Sequence, residues 1–212
     1  MSKSAYQVAV LIDAGFFLHE SHAPLGHRLV EPEEVIDAAR STLRKDEHLF
    51  RIYYYDCPPF EGTRNNPVDQ RVINFAATDT ARARQSLHGR LEVAPHMAFR
   101  KGRLVFEGWT IPRHRLRDLV KANRPVCADD FQPEFTQKGV DIKIGLDVAW
   151  LASMHIVDRI ILVTGDTDFV PAMKFARRQG VQVIIATVSP DVSSLLRAHS
   201  DEHRQMHLGR AF

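Results

Sequence analysis

The most informative stretch of the sequence spans residues 160–169 and reads IILVTGDTDF. Its first four residues are apolar and mostly β-branched and stop at a Thr-Gly pair, as expected for a central parallel strand covered on both faces. Asp166 and Asp168 follow that strand. The carboxyl ends of the strands form the ligand crevice of an open α/β sheet, and two carboxylates this close repel each other unless a cation binds. The stretch therefore predicts an acidic metal site at a sheet edge.

Two other segments place aspartates at the same predicted edge. Residues 8–12 are a second apolar run, and it ends at Asp13. After the pair Lys138-Gly139, apolar residues at helical spacing are Ile144, Val148, Leu151 and Ala152. They predict a helix that begins near Asp141, at the edge where the strands end, because strand–helix–strand units are right-handed. Asp147 lies about nine ångströms further along the helix axis, so it is a less favoured ligand.

These motifs together resemble the NYN domain, in its LabA-like branch within the PIN-like nuclease superfamily. The resemblance runs from about Val8 to Ala186 and is concentrated in the apolar strand into Asp13, the KGVD run at 138–141 and the TGDTDF run at 164–169. It implies a three-layer α/β/α fold with a mostly parallel central sheet, and a divalent-metal-dependent ribonuclease that acts on single-stranded or structured RNA. PIN-like folds often pair, so the resemblance also allows a homodimer, although no residue of the sequence indicates one.

Carried over by position, the resemblance implies that four residues act as both catalytic and metal-binding groups: Asp13, Asp141, Asp166 and Asp168. Many NYN proteins have an asparagine three residues after the first aspartate, whereas this chain has Phe16. If that asparagine orients a ligand or a substrate phosphate, its loss weakens or redirects activity. It does not remove a carboxylate.

The predicted ligands select the metal. Clustered carboxylates without cysteine or paired histidine favour hard cations, hence Mg²⁺ or Mn²⁺. Such an ion can lower the pKa of a bound water and neutralise charge on the reacting phosphate. Thr164 or Thr167 could hydrogen-bond a carboxylate or phosphate oxygen. Asp147 could hold the metal ligands in place without binding the metal itself, and Lys138 could contact a substrate phosphate.

A basic segment accompanies the acidic edge, although the net charge of the chain is only +2. From residue 97 to 121, seven basic residues stand against two acidic ones: Arg100, Lys101, Arg103, Arg113, Arg115, Arg117 and Lys121 against Glu107 and Asp118. Basic side chains beside a metal site suit a phosphodiester substrate, because they can bind the phosphate backbone while the metal acts on the reacting phosphate. This segment is therefore a candidate RNA contact. A solvated hairpin and helix face explains the charges equally well.

Length and composition predict a single domain over residues 1–212. Hydrophobic residues make up 44% and charged residues 25%, as in soluble globular proteins. We expect no membrane span and a cytoplasmic protein, since no apolar run is long enough and Cys57 and Cys127 show no paired spacing. We also predict a helix over 67–87, a basic hairpin over 91–107 and a short basic helix over 113–122, the last two forming an insertion at about 90–122. A tail is expected from about residue 199.

Two other functions fit parts of the pattern. A catalytically silent RNA- or protein-binding regulator that keeps the NYN fold is favoured by Phe16 and opposed by the intact aspartates. A phosphatase of the haloacid-dehalogenase type needs an Asp-x-Asp pair on the first strand, and here Gly15 stands two residues after Asp13. Any one aspartate alone could be a turn or a helix cap. Three predicted strand or helix ends at one edge favour a site.

Overall fold

A computed structural model of the protein describes residues 5–208. The strands, in chain order, are β1 (Tyr6–Asp13), β2 (Glu47–Asp56), β3 (Thr63–Asn65), β4 (Val72–Asn74), β5 (Met97–Lys101), β6 (Arg103–Thr110), β7 (Gln132–Lys138), β8 (Arg159–Val163), β9 (Gln182–Thr187) and β10 (Glu202–Gln205). The helices are α1 (Ala14–His22), α2 (Pro32–Ser41), α3 (Asp79–Glu92), α4 (Arg113–Ala122), α5 (Val140–Ser153), α6 (Val170–Arg178) and α7 (Ser194–His199). Among these helices, none is long and apolar enough to cross a membrane.

The central sheet has six strands in the order β10-β9-β8-β1-β2-β5, and every neighbouring pair is parallel. Side chains alternate between its two faces. Ala9 and Leu11 of β1 pack in the cluster that contains α5, α6 and α7, whereas Val8, Val10 and Ile12 pack with α1, α2 and α3. Because helices cover both faces, the central strands are apolar throughout. The predicted three-layer α/β/α fold is confirmed.

The predicted hairpin over 91–107 is wrong, because its two halves lie in different sheets. β5 joins the central sheet beside β2, while β6 pairs antiparallel with β7 in a separate two-stranded sheet. A Cβ on Gly102 would lie 2.7 Å from Cys57 Sγ and from Val140 Cγ2, so only glycine lets the chain pass here from one sheet to the other. The insertion therefore consists of β6, α4 and β7 and extends beyond the predicted bound at about residue 122.

Two further predictions differ from the structure. Residues 67–87 do not form one helix, because β4 and a 3-10 helix (Phe75–Ala77) precede α3. Where the sequence predicts a tail from about residue 199, β10 instead pairs with β9 at the edge of the central sheet. Arg204 of β10 donates to the carboxylate of Glu47 at distances of 2.7 and 2.9 Å, which ties the end of the chain to the start of β2.

Candidate functional site

The carboxyl ends of β1 and β8 lie side by side in the middle of the sheet. Ile12 is the register partner of Val163, so Asp13 and the turn at 164–166 leave the sheet together. Asp13 continues the alternation of Ala9 and Leu11, whose side chains pack on the α5 side. The fold therefore brings Asp13 and Asp166 to one edge of the sheet, as the sequence predicts.

Asp13 is also the N-cap of α1. Its Oδ1 accepts hydrogen bonds from the N–H groups of Gly15 at 3.0 Å and of Phe16 at 3.4 Å. Burial raises the pKa of the Asp13 carboxyl; the two backbone hydrogen bonds oppose this rise, and the negative charges of Asp141 and Asp166 add to it. Asp13 thus does cap a helix, but the two capping hydrogen bonds do not offset the cost of burying its negative charge.

Asp166 shapes the turn that follows β8. Its Oδ1 accepts from the Asp168 N–H at 2.8 Å, and its own N–H donates to the Thr164 hydroxyl at 3.1 Å. Asp166 and Asp168 are both exposed, whereas Thr164 is buried. Thr167 begins the 3-10 helix Thr167–Phe169 that Asp166 caps. Thr164 therefore supports the turn and holds Asp166 at the edge.

Asp141 lies in the first turn of α5, two residues after the N-cap Gly139, which has a positive φ of 81°. Burial raises its pKa, and the charges of Asp166 and Asp168 raise it further. The acidic groups from β1, α5 and the turn after β8 thus act on one another electrostatically. Within residues 5–208, no lysine or arginine forms a salt bridge with Asp13, Asp141, Asp166 or Asp168. Their mutual repulsion is therefore left for a bound cation to relieve.

Asp147 does not belong to this group. It forms a salt bridge with Arg100 at 2.9 Å and accepts a hydrogen bond from the Tyr55 hydroxyl at 2.8 Å. The ion pair that spacing allows with Lys143 is not formed, because Lys143 donates to the Lys101 carbonyl instead. Asp147 is therefore neutralised on the body of α5, away from the edge where α5 begins.

The basic candidates fall into two groups. Arg100 is occupied by Asp147, and Lys101 forms a salt bridge with Glu92 at 2.5 Å. The remaining candidates are exposed and have no salt bridge to a residue in the described part of the chain: Arg103, Arg113, Arg115, Arg117 and Lys138. Arg103 and Lys138 are register partners at the base of the β6–β7 pair, next to α5. Of these cations, Arg103 and Lys138 thus lie near the start of α5, where Asp141 stands.

Phe16, which stands where many NYN proteins have asparagine, packs on the turn after β8. A Cβ on Gly165 would lie 2.5 Å from Cε2 of the Phe16 ring, so glycine is required at this close approach. The ring therefore fills the space between α1 and the Asp166 turn with an apolar group.

Two polar residues at this edge, Gln137 and Asp56, are not predicted as site residues from the sequence. The side-chain amide of Gln137 comes within 3.7 Å of the point where a Cβ on Gly15 would lie, and Asp13 Oδ1 is 3.4 Å from the same point. No sequence signal marks Gln137, which lies on β7, a strand that the sequence does not predict. Asp56 ends β2 as Asp13 ends β1, so the same rule could have found it; it is buried and paired with Arg84 at 2.5 Å and His88 at 2.8 Å.

The donor chemistry of the edge suits a hard cation, but the site is not a preformed cage. Within residues 5–208, no group of three or more His, Cys, Asp or Glu side chains is arranged to hold a metal ion. Mg²⁺ usually keeps several of its waters and is bound through one or two carboxylates, so it does not need such a group. Carboxylates with raised pKa values and no basic partner therefore fit a hydrated Mg²⁺ or Mn²⁺.

Comparison with known proteins shows what the second half of the chain is similar to. The family model of the NYN domain matches residues 111–206. This region is similar to an NYN domain. NYN domains belong to the PIN-like nucleases, which generally use divalent metals. The matched part of the chain includes Asp141, Asp166 and Asp168, whereas Asp13 and the first half of the sheet precede it.

Two similar proteins add to this picture. An uncharacterized protein from Methanocaldococcus jannaschii is 32% identical over 76 residues, which are 36% of this chain and 32% of that protein. The chain thus matches about a third of that relative's length. The crystal structure of a protein of unknown function from Vibrio parahaemolyticus has a TM-score of 0.54 at 17% identity, covering 98% of this chain and 96% of that one. This second likeness concerns the fold alone and extends beyond the NYN match to nearly the whole chain.

Proposed function

We propose that the protein is a divalent-metal-dependent ribonuclease that hydrolyses RNA phosphodiester bonds at the edge formed by Asp13, Asp141, Asp166 and Asp168. One observation carries the proposal. These carboxylates come from β1, α5 and the turn after β8, and their mutual repulsion adds to burial in raising the pKa values of Asp13 and Asp141. A bound divalent cation removes that repulsion, and the NYN domain supplies the nuclease context.

Each residue has a role in this proposal. Asp13 and Asp166 would hold Mg²⁺ or Mn²⁺ directly, with Asp141 and Asp168 completing the shell, partly through water. The bound ion would supply a water of lowered pKa and neutralise charge on the phosphate. Thr164 keeps Asp166 in place through the hydroxyl that accepts its N–H. The Gln137 amide and the Lys138 ammonium, at the end of β7, would hold the substrate phosphate beside Asp13.

The experiment that tests the proposal is cleavage of end-labelled single-stranded RNA in Mg²⁺, in Mn²⁺ and in EDTA. We expect cleavage with either metal and none with EDTA. RNA binding without cleavage under all metal conditions would instead favour the second candidate, a silent binding regulator. Phe16 supports that second candidate, because its ring fills space against Gly165 where an amide would otherwise be available to a ligand.

The arginines of α4 give a prediction for RNA binding. Arg113 and Arg117 are one helical turn apart on α4 and both exposed, so together they can contact the phosphate backbone. We expect Arg113→Ala/Arg117→Ala to lower the slope of log affinity against log salt by about 1.4, since each lost phosphate contact on a single strand contributes about 0.7. Fluorescence anisotropy over a salt series measures this slope. Arg40→Ala, an exposed arginine on α2, should leave it unchanged, and an equal change in that control would remove α4 from the RNA surface.

A homodimer is the second structural part of the proposal, with the exposed face of α5 as its surface. Ile142, Leu146, Trp150 and Met154 recur every fourth residue and are 67%, 63%, 49% and 62% exposed. A ridge of residues spaced by four packs against a copy of itself in the commonest class of helix pairing. We expect the wild type to sediment as a dimer and Leu146→Glu as a monomer. A wild type that is monomeric at high protein concentration would contradict this pairing.

We also propose a cytoplasmic location and membership of the LabA-like branch. Both cysteines, the buried Cys57 and the exposed Cys127, are free thiols, as is usual in a reducing compartment.

A further inference from the structure

A cavity of about 370 Å³ opens beside the carboxylate edge. Three aromatic rings form its apolar wall: the ring centroids of Phe60, Phe75 and Phe135 lie 5.4–5.6 Å from one another. Opposite them are polar groups from the end of β2, the start of α3 and β7, namely Asp56, Thr78, Thr80, Arg84 and Gln137. We call this space the aromatic cavity. An apolar wall with a few converging polar groups is the usual design of a small-molecule site.

The aromatic cavity and the carboxylate edge share the side chain of Gln137. Gln137 lines the cavity, and its amide also approaches Gly15 next to the Asp13 carboxylate. Asp56, in the cavity wall, is the last residue of β2, the strand next to β1. The residue before it, Tyr55, is the register partner of Asp13. The Gln137 side chain can therefore contact both a ligand in the cavity and a group bound near Asp13.

The charge of the cavity suits a ligand that carries phosphate. Arg84 lies in the wall, partly exposed, and pairs with the buried Asp56. The Arg64 guanidinium lies 4.9 Å from the Phe60 ring centroid and 5.0 Å from that of Phe106, behind the same aromatic wall. The exposed Arg103 and Lys138 stand at the base of the β6–β7 pair that carries Phe135. Two cations without a salt bridge in the described part of the chain, Arg103 and Lys138, thus lie on the strands that form one side of the cavity, outside its lining.

We propose that the aromatic cavity binds one unstacked nucleobase of a single-stranded nucleic acid, while an adjacent phosphate of the same strand lies at the carboxylate edge. The proposal rests on the proposed nuclease function and adds a subsite to it. Aromatic side chains bind the faces of unpaired bases, and every base has such a face. A cavity at the small end of the range for ligand sites holds one base and excludes a base pair. The Thr80 hydroxyl and the Gln137 amide can hydrogen-bond the edge of that base, which predicts a base preference at one position of the substrate.

The test fills the aromatic cavity without touching the aspartates. Thr80 is an exposed residue of the cavity rim in the first turn of α3, so Thr80→Trp places an indole in the space proposed for the base. Ser86→Trp is the matched control, because Ser86 is exposed on the same helix but outside the cavity. Binding is measured by anisotropy with labelled single-stranded RNA about ten nucleotides long, in EDTA so that no strand is cut. A set of strands with one abasic site at each successive position completes the design.

We expect Thr80→Trp to weaken binding about tenfold and Ser86→Trp to leave it unchanged, since stacking of one base contributes on this order. In the wild type, an abasic site at one position should weaken RNA binding by a similar factor. In Thr80→Trp, an abasic site at that position should leave the affinity unchanged. The proposal is overturned if both tryptophan variants bind like the wild type, if the abasic cost is equal in wild type and Thr80→Trp, or if the wild type binds no single strand. If the wild type shows the expected binding pattern in EDTA but cleaves no RNA with metal, the proposed hydrolysis is wrong and the base subsite is retained.

Discussion

Asp166→Asn should lower metal-dependent RNA cleavage by at least about 100-fold, since replacing a group that only orients a metal ligand already costs 10–100-fold. Asparagine keeps the side-chain oxygen that accepts the Asp168 N–H, so the turn after β8 should persist. What changes is the charge: the edge loses one of the carboxylates that repel Asp13 and Asp141. We therefore expect an inactive protein whose thermal stability without metal is equal to that of the wild type or higher.

Asp37→Asn is the matched control for this experiment. It makes the same chemical change on α2, which packs on the opposite face of the sheet from α5. The control should cleave RNA at the wild-type rate. Equal cleavage by Asp166→Asn and the wild type, in preparations free of other nucleases, would remove Asp166 from the site.

Glu47→Gln should have the largest effect on stability, lowering the free energy of unfolding by about 3 kcal/mol. The Glu47 side chain is completely buried and binds two arginines, Arg159 of β8 at 2.6 Å and Arg204 of β10 at 2.7 Å. Glutamine leaves both guanidinium groups without the charge that neutralises them. A loss of this size corresponds to a fall in melting temperature of roughly 6–12 °C for a chain of this length.

The pH dependence of this difference follows from the pKa of Glu47. Burial alone would raise that pKa, but hydrogen bonds from Arg204, the Arg44 N–H and Arg159 outweigh burial and lower it from 4.5 to about 2. A carboxylate with a lowered pKa in the folded state contributes stability that is complete above its unfolded pKa and is lost as the pH falls through the folded value. The advantage of the wild type over Glu47→Gln should therefore be constant above about pH 5 and shrink between pH 4.5 and pH 2.

Urea denaturation of both proteins at pH 7 and pH 3 measures this change. Glu33→Gln is the control, because Glu33 pairs with Arg90 at the surface, where such pairs contribute about 0–1 kcal/mol. A difference between wild type and Glu47→Gln that stays the same at both pH values would contradict the assigned role of the Glu47 charge.

The sequence predicts the carboxylate edge well because strand ends are local signals. The apolar runs before Asp13 and Asp166 each mark a strand with two covered faces, and helical spacing after Lys138 marks the start of α5 near Asp141. The rule that parallel strands end at one edge then brings the three segments together. The structure has Asp13, Asp141 and the Asp166 turn at the predicted element ends, within electrostatic reach of one another.

What the sequence does not predict depends on partners that are distant along the chain. Gly102 falls inside the predicted hairpin over 91–107, but in the structure it lets the chain pass close to Cys57 and Val140. The residues of β10 are polar and few, so they look like a tail until Arg204 is seen to bind Glu47. Asp147 has a plausible partner one turn away, and only the fold reveals that Arg100 takes that place. Spacing along one segment carries no information about such contacts.

The central claim is that the carboxylate edge binds a divalent cation. Mn²⁺ binding measured by electron paramagnetic resonance tests this claim without any RNA. Free hydrated Mn²⁺ gives a sharp signal that is lost on binding, so a titration of the protein measures the bound fraction directly. We expect the wild type and Asp37→Asn to bind Mn²⁺ equally and Asp13→Asn/Asp166→Asn to leave it free. A wild type that binds no Mn²⁺, or a double variant that binds it as the wild type does, would contradict the assignment of this edge as a metal-dependent nuclease site.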